Sequence, residues 1–299
     1  MTPEQVLGIA PKVLTQAQRE SYFDDGYLLL PAIIPPDWLR RLRAASDAFI
    51  ERSRSLAHSD SIFDLEPDHR PDAPRLRRVS NPDQHDPEIW AYCTESLLGD
   101  IVADLVGPAV KFHHGKLNYK WARGGEEVKW HYDISFWPHT NYSPLTIGTY
   151  LYDCGPEQGP LAVLPGSHKR EPLEMQYSDD GQWIGCLRDE DLARHDLSRA
   201  VTLPGPAGSL TLHNCRTLHA SARNESDLGR PLLLFTMTSG DAFPYTGNPL
   251  KPQHDQTMIR GRRPAFAHVD PRPCPLPPDW SGGYSSIFAL QQREAAAMM

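Results

Sequence analysis

Val110-Lys-Phe-His-His-Gly-Lys-Leu-Asn-Tyr-Lys-Trp-Ala-Arg-Gly-Gly-Glu-Glu-Val-Lys-Trp-His131-Tyr-Asp133 is where the texture of this 299-residue chain changes. Two apolar runs, 110–119 and 128–133, follow Pro108 and are separated by Gly124-Gly125. Further short runs at 145–153, 161–164, 200–203, 209–213 and 231–238 are likewise bounded by proline or glycine. Short strands at this spacing argue for a mainly β fold, a sandwich or barrel of the jelly-roll kind. The 29 prolines agree, since proline is confined to loops, strand edges and helix starts.

Upstream, the residues read as helical. Thr15-Gln-Ala-Gln18 has the capping-box pattern, and the helix it opens should end at Gly26. Tyr27-Leu-Leu-Leu30 is a strand candidate, and Leu39, Leu42, Phe49 and Ile50 recur with helical spacing after Pro35-Pro36. After Pro87, the residues Trp90, Cys93, Leu97, Ile101 and Leu105 fall on one face of a single amphipathic helix closed by Gly107. The expected organisation is one domain, 1–299. It has a helical part at 1–107, a core at 108–245 interrupted by a polar insertion at 171–199, and a proline-rich wrap at 246–299.

The 30 lysines and arginines against 38 acids leave a net charge of −8, which discourages non-specific binding to nucleic acid or anionic membranes. No apolar run approaches the ~18 residues of a membrane span, and the start of the chain shows no signal-peptide pattern. Five scattered cysteines, never in a Cys-x-x-Cys pair, argue against a disulfide framework and for the cytoplasm. The 13 histidines point to metal chemistry.

Two histidines and one carboxylate can hold Fe(II) on one face and leave the other positions open. His-x-Asp on a strand supplies two such ligands, because residues i and i+2 point the same way. Chance alone would place about one such tripeptide here, and three occur: His58-Ser-Asp60, His131-Tyr-Asp133 and His268-Val-Asp270. Only His131-Tyr-Asp133 ends an apolar run inside the β-rich region. A third ligand must come from a distant strand, and 208–234 offers His213 or His219. His213 also reads as a half-buried core histidine. His219 is followed by Ser221, Asn224 and Arg230, a polar cluster beside a strand, and an arginine there suits a bidentate grip on a carboxylate.

His131-x-Asp133, His219-Ala-Ser221 and Arg230 eleven residues on resemble the phytanoyl-CoA dioxygenase family of Fe(II)/2-oxoglutarate oxygenases. Gly159-Pro-Leu-Ala-Val-Leu-Pro-Gly-Ser-His168 supports the likeness, which spans about residues 16–245. The resemblance implies a double-stranded β-helix core, cupin-like, with flanking N-terminal helices. It implies iron ligands at His131, Asp133 and His219, and a 2-oxoglutarate anchor at Arg230 with Ser221 beside it. His113-His-Gly-Lys-Leu-Asn118 through Trp130-His-Tyr-Asp133 is similar to ectoine hydroxylase, a member of that family. By that likeness Asn118, Thr146 and the residue at His114 touch 2-oxoglutarate. Related halogenases lack the carboxylate ligand, so Asp133 argues against halogenation.

The activity implied is oxidation of a C–H bond of a small polar metabolite or natural-product intermediate. O2 is consumed and 2-oxoglutarate leaves as succinate and CO2. Phe136 and Trp137, just after the ligand pair, and Trp183 in the insertion are the candidate substrate-binding aromatics. The competing readings are a non-oxidative cupin-like metal enzyme, which needs no arginine anchor, and an inactive family relative that only binds. Arg75-Leu-Arg-Arg78 reads as exposed, ion-paired surface, with reception of an anionic substrate group as the alternative. The acids of 171–199 predict a negative entrance that favours a cationic or zwitterionic substrate over an acyl-CoA.

Overall fold

The computed structural model describes residues 1–171, 175–177, 181, 183–250, 252–278 and 286–291. The strands are β1 (Tyr27–Leu30), β2 (Phe63–Leu65), β3 (Leu76–Ser80), β4 (Val110–Lys120), β5 (Val128–His131), β6 (Leu145–Tyr150) and β7 (Ala162–Val163). They continue as β8 (Met175–Tyr177), β9 (Trp183–Leu187), β10 (Val201–Thr202), β11 (Leu210–Asn214), β12 (His219–Ser221), β13 (Arg230–Ser239) and β14 (Met258–Arg260). One large sheet has the order β1-β11-β6-β13-β4-β3-β2, with β14 also on β4. A smaller sheet runs β10-β7-β12-β5, and β8 pairs with β9. Every pairing is antiparallel. This is the jelly roll, and all seven runs expected from the sequence contain strands.

The helices α1 (Pro3–Leu7), α2 (Gln16–Asp25), α3 (Pro36–Ser53), α4 (Pro87–Glu95) and α5 (Leu98–Val106) precede β4. The main core lies between them and the large sheet: Leu39, Leu42 and Phe49 of α3 join Phe112, Leu117 and Tyr119 of β4 and Phe235 of β13. The opposite face of β4 presents His114, Lys116, Asn118 and Lys120, alternate residues on a strand covered on both faces. The first hundred residues are thus less purely helical than their sequence suggests, because β1, β2 and β3 extend the large sheet. The single helix expected after Pro87 is two. Ser96 takes an extended conformation, and its hydroxyl donates to the Tyr92 carbonyl (2.5 Å) and accepts from the Leu98 amide (3.3 Å). That local bonding replaces a helical turn. Arg260 then donates to the released carbonyls of Thr94 (2.7 Å) and Ser96 (2.8 Å).

The capping box at Thr15 and Gln18 forms as read, and Gly26 ends α2 at φ +85°. A Cβ at Gly26 would lie 2.4 Å from His168 Nδ1 and 2.5 Å from Thr217 Oγ1. His168, from the Pro-Gly-Ser-His turn, instead bonds the Phe23 carbonyl through Nε2 (3.0 Å), so that turn locks α2 to the strands. Gly26→Ala is expected to destabilise the fold by about 2–4 kcal/mol, from the left-handed backbone plus the clash, read by urea unfolding.

All five cysteines are free thiols. Among the described residues no helix is long and apolar enough to cross a membrane.

Candidate active site

The register of the small sheet sets the centre of the site. Antiparallel pairing of β12 with β5 puts His219 opposite His131, and their rings lie 4.1 Å apart between centroids. Strand β5 ends at His131, Tyr132 stays extended, and Asp133 opens a 3-10 turn. The i, i+2 geometry of the His-x-Asp pair therefore survives the end of the strand. The two histidine Nε2 atoms lie 4.0 Å (His131) and 3.8 Å (His219) from Asp133 Oδ1. The three residues offer one ligand atom each, all within 4.8 Å of one another, and all three are buried.

Backbone carbonyls orient the imidazoles. His131 Nδ1 donates to the Lys129 carbonyl (2.8 Å) and His219 Nδ1 to the Thr217 carbonyl (2.9 Å). Both rings therefore carry the proton on Nδ1 and aim an Nε2 lone pair at the shared centre. The other carboxylate oxygen, Oδ2, accepts from Thr146 Oγ1 (2.8 Å) and from His213 Nε2 (3.2 Å). Burial lowers the His131 pKa to about 4 and carries that of His219 well below the usual imidazole range. Burial opposes ionisation of Asp133, but His219, His213 and Lys116 outweigh it and hold the carboxyl well below its ordinary range. Two neutral imidazoles and one carboxylate are the donor set a divalent transition metal takes.

These groups open into a buried cavity of about 100 Å3 between the two sheets. At one end Arg230, the first residue of β13, stands opposite Lys120 of β4. Arg230 is buried, and its Nε and Nη1 have no hydrogen-bond partner. Lys120 Nζ is held by the carbonyls of Glu126 (2.9 Å), Ser221 (3.1 Å) and Ala222. Burial, then the neighbouring Arg230 charge, lowers its pKa to about 6. Ser221 and Asn118 line the same end, and Asn118 Oδ1 is also unpartnered. His114 lines the cavity, with its ring between His113 Nδ1 (2.6 Å) and Thr236 Oγ1 (3.4 Å). Thr146 is there too, but its hydroxyl is committed to Asp133.

Phe136 and Trp137 line the cavity, with Phe136 edge-on to His131 at 5.9 Å. Trp183 stands behind Phe136, ring centroids 4.7 Å apart, rather than on the cavity wall. Its candidacy as a substrate contact becomes support of one. The insertion is correspondingly less polar than its composition, because β9 is buried and packs toward β5. Of its eight acids, Glu174, Asp179 and Asp180 fall outside the described residues. Asp191 is paired with Arg188 (2.9 Å) and Arg194 (3.3 Å).

Arg78, Lys116, Lys120 and His213 also line the cavity; the sequence offers His213 as the alternative distal ligand and the Arg75–Arg78 cluster as an alternative anion receiver, and gives Lys116 and Lys120 no role. Lys116 and Lys120 were findable, since the expected strand 110–119 puts alternate residues on the face of His114 and Asn118. The proline-rich tail sends Leu250, Ile287 and Phe288 to the cavity wall, for which the sequence carries no signal. Arg77 and Arg78 are buried, not exposed as expected.

A jelly roll that carries two histidines and a carboxylate in a buried cleft between its sheets places the protein among the iron- and 2-oxoglutarate-dependent dioxygenases. Within that class the chain belongs to the phytanoyl-CoA dioxygenase (PhyH) family, whose model matches residues 22–232. It is 28% identical over 279 residues to a probable alpha-ketoglutarate-dependent hypophosphite dioxygenase of Stutzerimonas stutzeri, covering 92% of this chain and 96% of that one. It is 26% identical over 222 residues to the ectoine dioxygenase of Sphingopyxis alaskensis, covering 70% of this chain and 71% of the relative. The iron-bound crystal structure of EctD from S. alaskensis has the same fold, with a TM-score of 0.67 at 22% identity, covering 90% of this chain and 92% of that one.

Proposed function

We propose that His131, Asp133 and His219 hold Fe(II) and that Arg230, with Ser221 and Asn118, anchors 2-oxoglutarate. We further propose that the enzyme uses O2 to hydroxylate a C–H bond of a small polar metabolite, with release of succinate and CO2. The observation that carries this reading is the pairing, in one buried cavity, of the His-Asp-His cluster with an arginine whose Nε and Nη1 are unpartnered. A buried guanidinium with unmade hydrogen bonds is costly, and a carboxylate satisfies it with two parallel bonds. The metal and 2-oxoglutarate, when bound, supply the oxidising chemistry that no side chain here can provide.

The protein's own part is positioning and exclusion. Thr146 and His213 fix Asp133 Oδ2, so that Oδ1 faces the two imidazoles. Phe136, backed by Trp183, and Trp137 keep water from the reacting end. Burial of Arg230 strengthens its grip through the low local dielectric. The relatives named above act on hypophosphite and ectoine, both small and polar, which supports a substrate of that kind. The entire chain acts as one oxygenase domain, since strands from residues 27–80 and from the tail extend the sheet that lines the site. The free thiols suit a cytoplasmic enzyme.

Anaerobic reconstitution with Fe(II), followed by 2-oxoglutarate and air, tests the reading. One iron per chain and succinate release are expected. Tight metal binding without succinate would point to a non-oxidative cupin-like enzyme, and neither to an inactive binding relative. Thr146→Val, which removes the hydroxyl on Asp133, is expected to weaken metal affinity about 10- to 100-fold, measured by chelator competition.

A further inference from the structure

We propose that His113 and His114 are positioning residues. Through a one-way chain of hydrogen bonds they tie Asn248, in the tail segment that walls the cavity, to Asp133 of the proposed metal cluster. This rests on the reading above, in which Asp133 holds the metal, and deepens it.

Strand register builds the chain. Thr146 of β6 stands opposite Thr236 of β13, and Thr236 stands opposite His114 of β4. Three neighbouring strands thus bring these side chains into one row across the large sheet. Successive residues of a regular strand point to opposite faces, which would part His113 from His114. Here the β13–β4 register shifts: Thr236 pairs with His114 and Met237 with Phe112, which leaves His113 as the extra residue of a bulge. The bulge turns His113 back toward its neighbour, and the two Nδ1 atoms lie 2.6 Å apart. On its other side, His113 Nε2 lies 3.3 Å from Asn248 Nδ2. Asn248 Oδ1 accepts from the Leu250 amide (3.0 Å), so the amide nitrogen is the end that faces His113. Pro249 and Leu250, the next two residues, line the cavity.

The direction of every bond follows from counting protons. A metal-ligating Asp133 is a carboxylate and only accepts, so Thr146 donates its one proton to Oδ2 (2.8 Å). Thr146 must then accept from Thr236 (3.1 Å), and Thr236 from His114 Nε2 (3.4 Å). A short contact between two Nδ1 atoms needs one proton between them. Burial first, then basic neighbours, carries both imidazoles well below their usual range, so each is neutral with a single N–H. His114 has given its own to Thr236, so its Nδ1 is bare and accepts from His113 Nδ1–H. His113 in turn leaves Nε2 bare for the Asn248 amide. Each donor polarises the next, and the carboxylate at the far end senses whether Asn248 is in place. His114, engaged at both ring nitrogens, is a link in this chain rather than a 2-oxoglutarate contact.

The direct test is long-range proton–nitrogen NMR of protein with isotope-labelled histidines, loaded with Zn(II) as a diamagnetic stand-in for Fe(II). The signals are assigned by their loss in His113→Phe and His114→Phe. His113 is expected as the Nδ1–H tautomer and His114 as the Nε2–H tautomer, both neutral at neutral pH. A double-mutant cycle reads the coupling by anaerobic chelator competition for Fe(II). Asn248→Leu should weaken affinity about threefold or more in the parent, but within about 1.5-fold in a Thr146→Val background, where the link to Asp133 is already cut. A side chain that merely supported the tail would cost the same in both. His114→Gln, whose amide has one donor and one acceptor in the same order, should keep Fe(II) affinity within about twofold, whereas His114→Phe should match Asn248→Leu. The tautomers decide the matter even where a variant in the cycle fails to fold. The same tautomer on both rings, a protonated ring at neutral pH, or equal losses in the two backgrounds overturns the proposal. The underlying reading fails separately, if Asp133→Ala binds Fe(II) as tightly as the parent.

Discussion

Alanine at His131, Asp133 or His219 is expected to abolish stoichiometric iron binding and to lower succinate formation at least about 1,000-fold, because several kcal/mol of metal-supplied catalysis is lost. The fold should persist, since none of the three ties elements together by itself. Strand β12 stays paired to β5 and β7 through the backbone, and Asp133 keeps Thr146 and His213 when either imidazole is removed. His213 is the informative control. Its ring lies 4.2 Å from that of His219 and its Nε2 bonds Asp133, so proximity alone would admit it as a ligand. The structure gives it a different task, fixing the carboxylate oxygen that faces away from the two imidazoles. His213→Ala should therefore retain one iron per chain at saturating metal, with affinity reduced about 10- to 100-fold. Iron content after anaerobic reconstitution, with a thermal unfolding curve for each variant, reads both. Full iron content in His219→Ala, with loss in His213→Ala, would reverse the two roles.

The parts of the site that were legible are those written in local spacing. His131-x-Asp133 needs only the two-residue period of an extended chain, and the Thr15–Gln18 cap and Gly26 need only one helix end. The choice of His219 over His213 came from its polar neighbours, while the reason it meets His131 is cross-strand register, which no local pattern encodes. Arg78 shows the opposite failure. Four residues of which three are arginines look like solvated surface, yet on a strand successive side chains part company: Arg77 pairs with Glu66 and Arg78 enters the cavity. Phe288 is harder still, since nothing in a proline-rich tail says which residue returns to a cavity more than fifty residues after the last ligand.

Composition is a weak guide to the charge a substrate meets for a related reason. A count of acids along 171–199 treats the segment as a uniform surface, whereas the folded chain pairs Asp191 with two arginines and buries Trp183, Ile184 and Cys186. What a substrate meets is set by which side chains line the cavity, and among its described lining residues the basic side chains of β3, β4 and β13 outnumber the acids.

Arg230→Ala is expected to raise the apparent KM for 2-oxoglutarate by ~30-fold to several thousand-fold, the equivalent of roughly 2–5 kcal/mol for a charge-assisted pair in a buried site. The KM for the oxidised substrate should change far less, because Arg230 is committed to 2-oxoglutarate in this reading. Arg230→Lys should recover only part of the loss, since a point charge cannot reproduce two parallel bonds. The residual affinity of Arg230→Ala has its own signature in pH. Lys120 is held at about 6 by burial and then by the Arg230 charge. Removing that charge raises the Lys120 pKa, so more of Lys120 is protonated at neutral pH than in the parent enzyme. Its ammonium lies at the Arg230 end of the cavity, bonded to the Ser221 and Glu126 carbonyls. It can therefore stand in for part of the missing charge, and 2-oxoglutarate binding by Arg230→Ala should be tighter at pH 6 than at pH 8. Adding Lys120→Met should erase that dependence. Succinate formation and direct 2-oxoglutarate titration across that range measure both effects. An unchanged 2-oxoglutarate KM in Arg230→Ala would sink the anchor assignment, and a flat pH response would remove Lys120 from it.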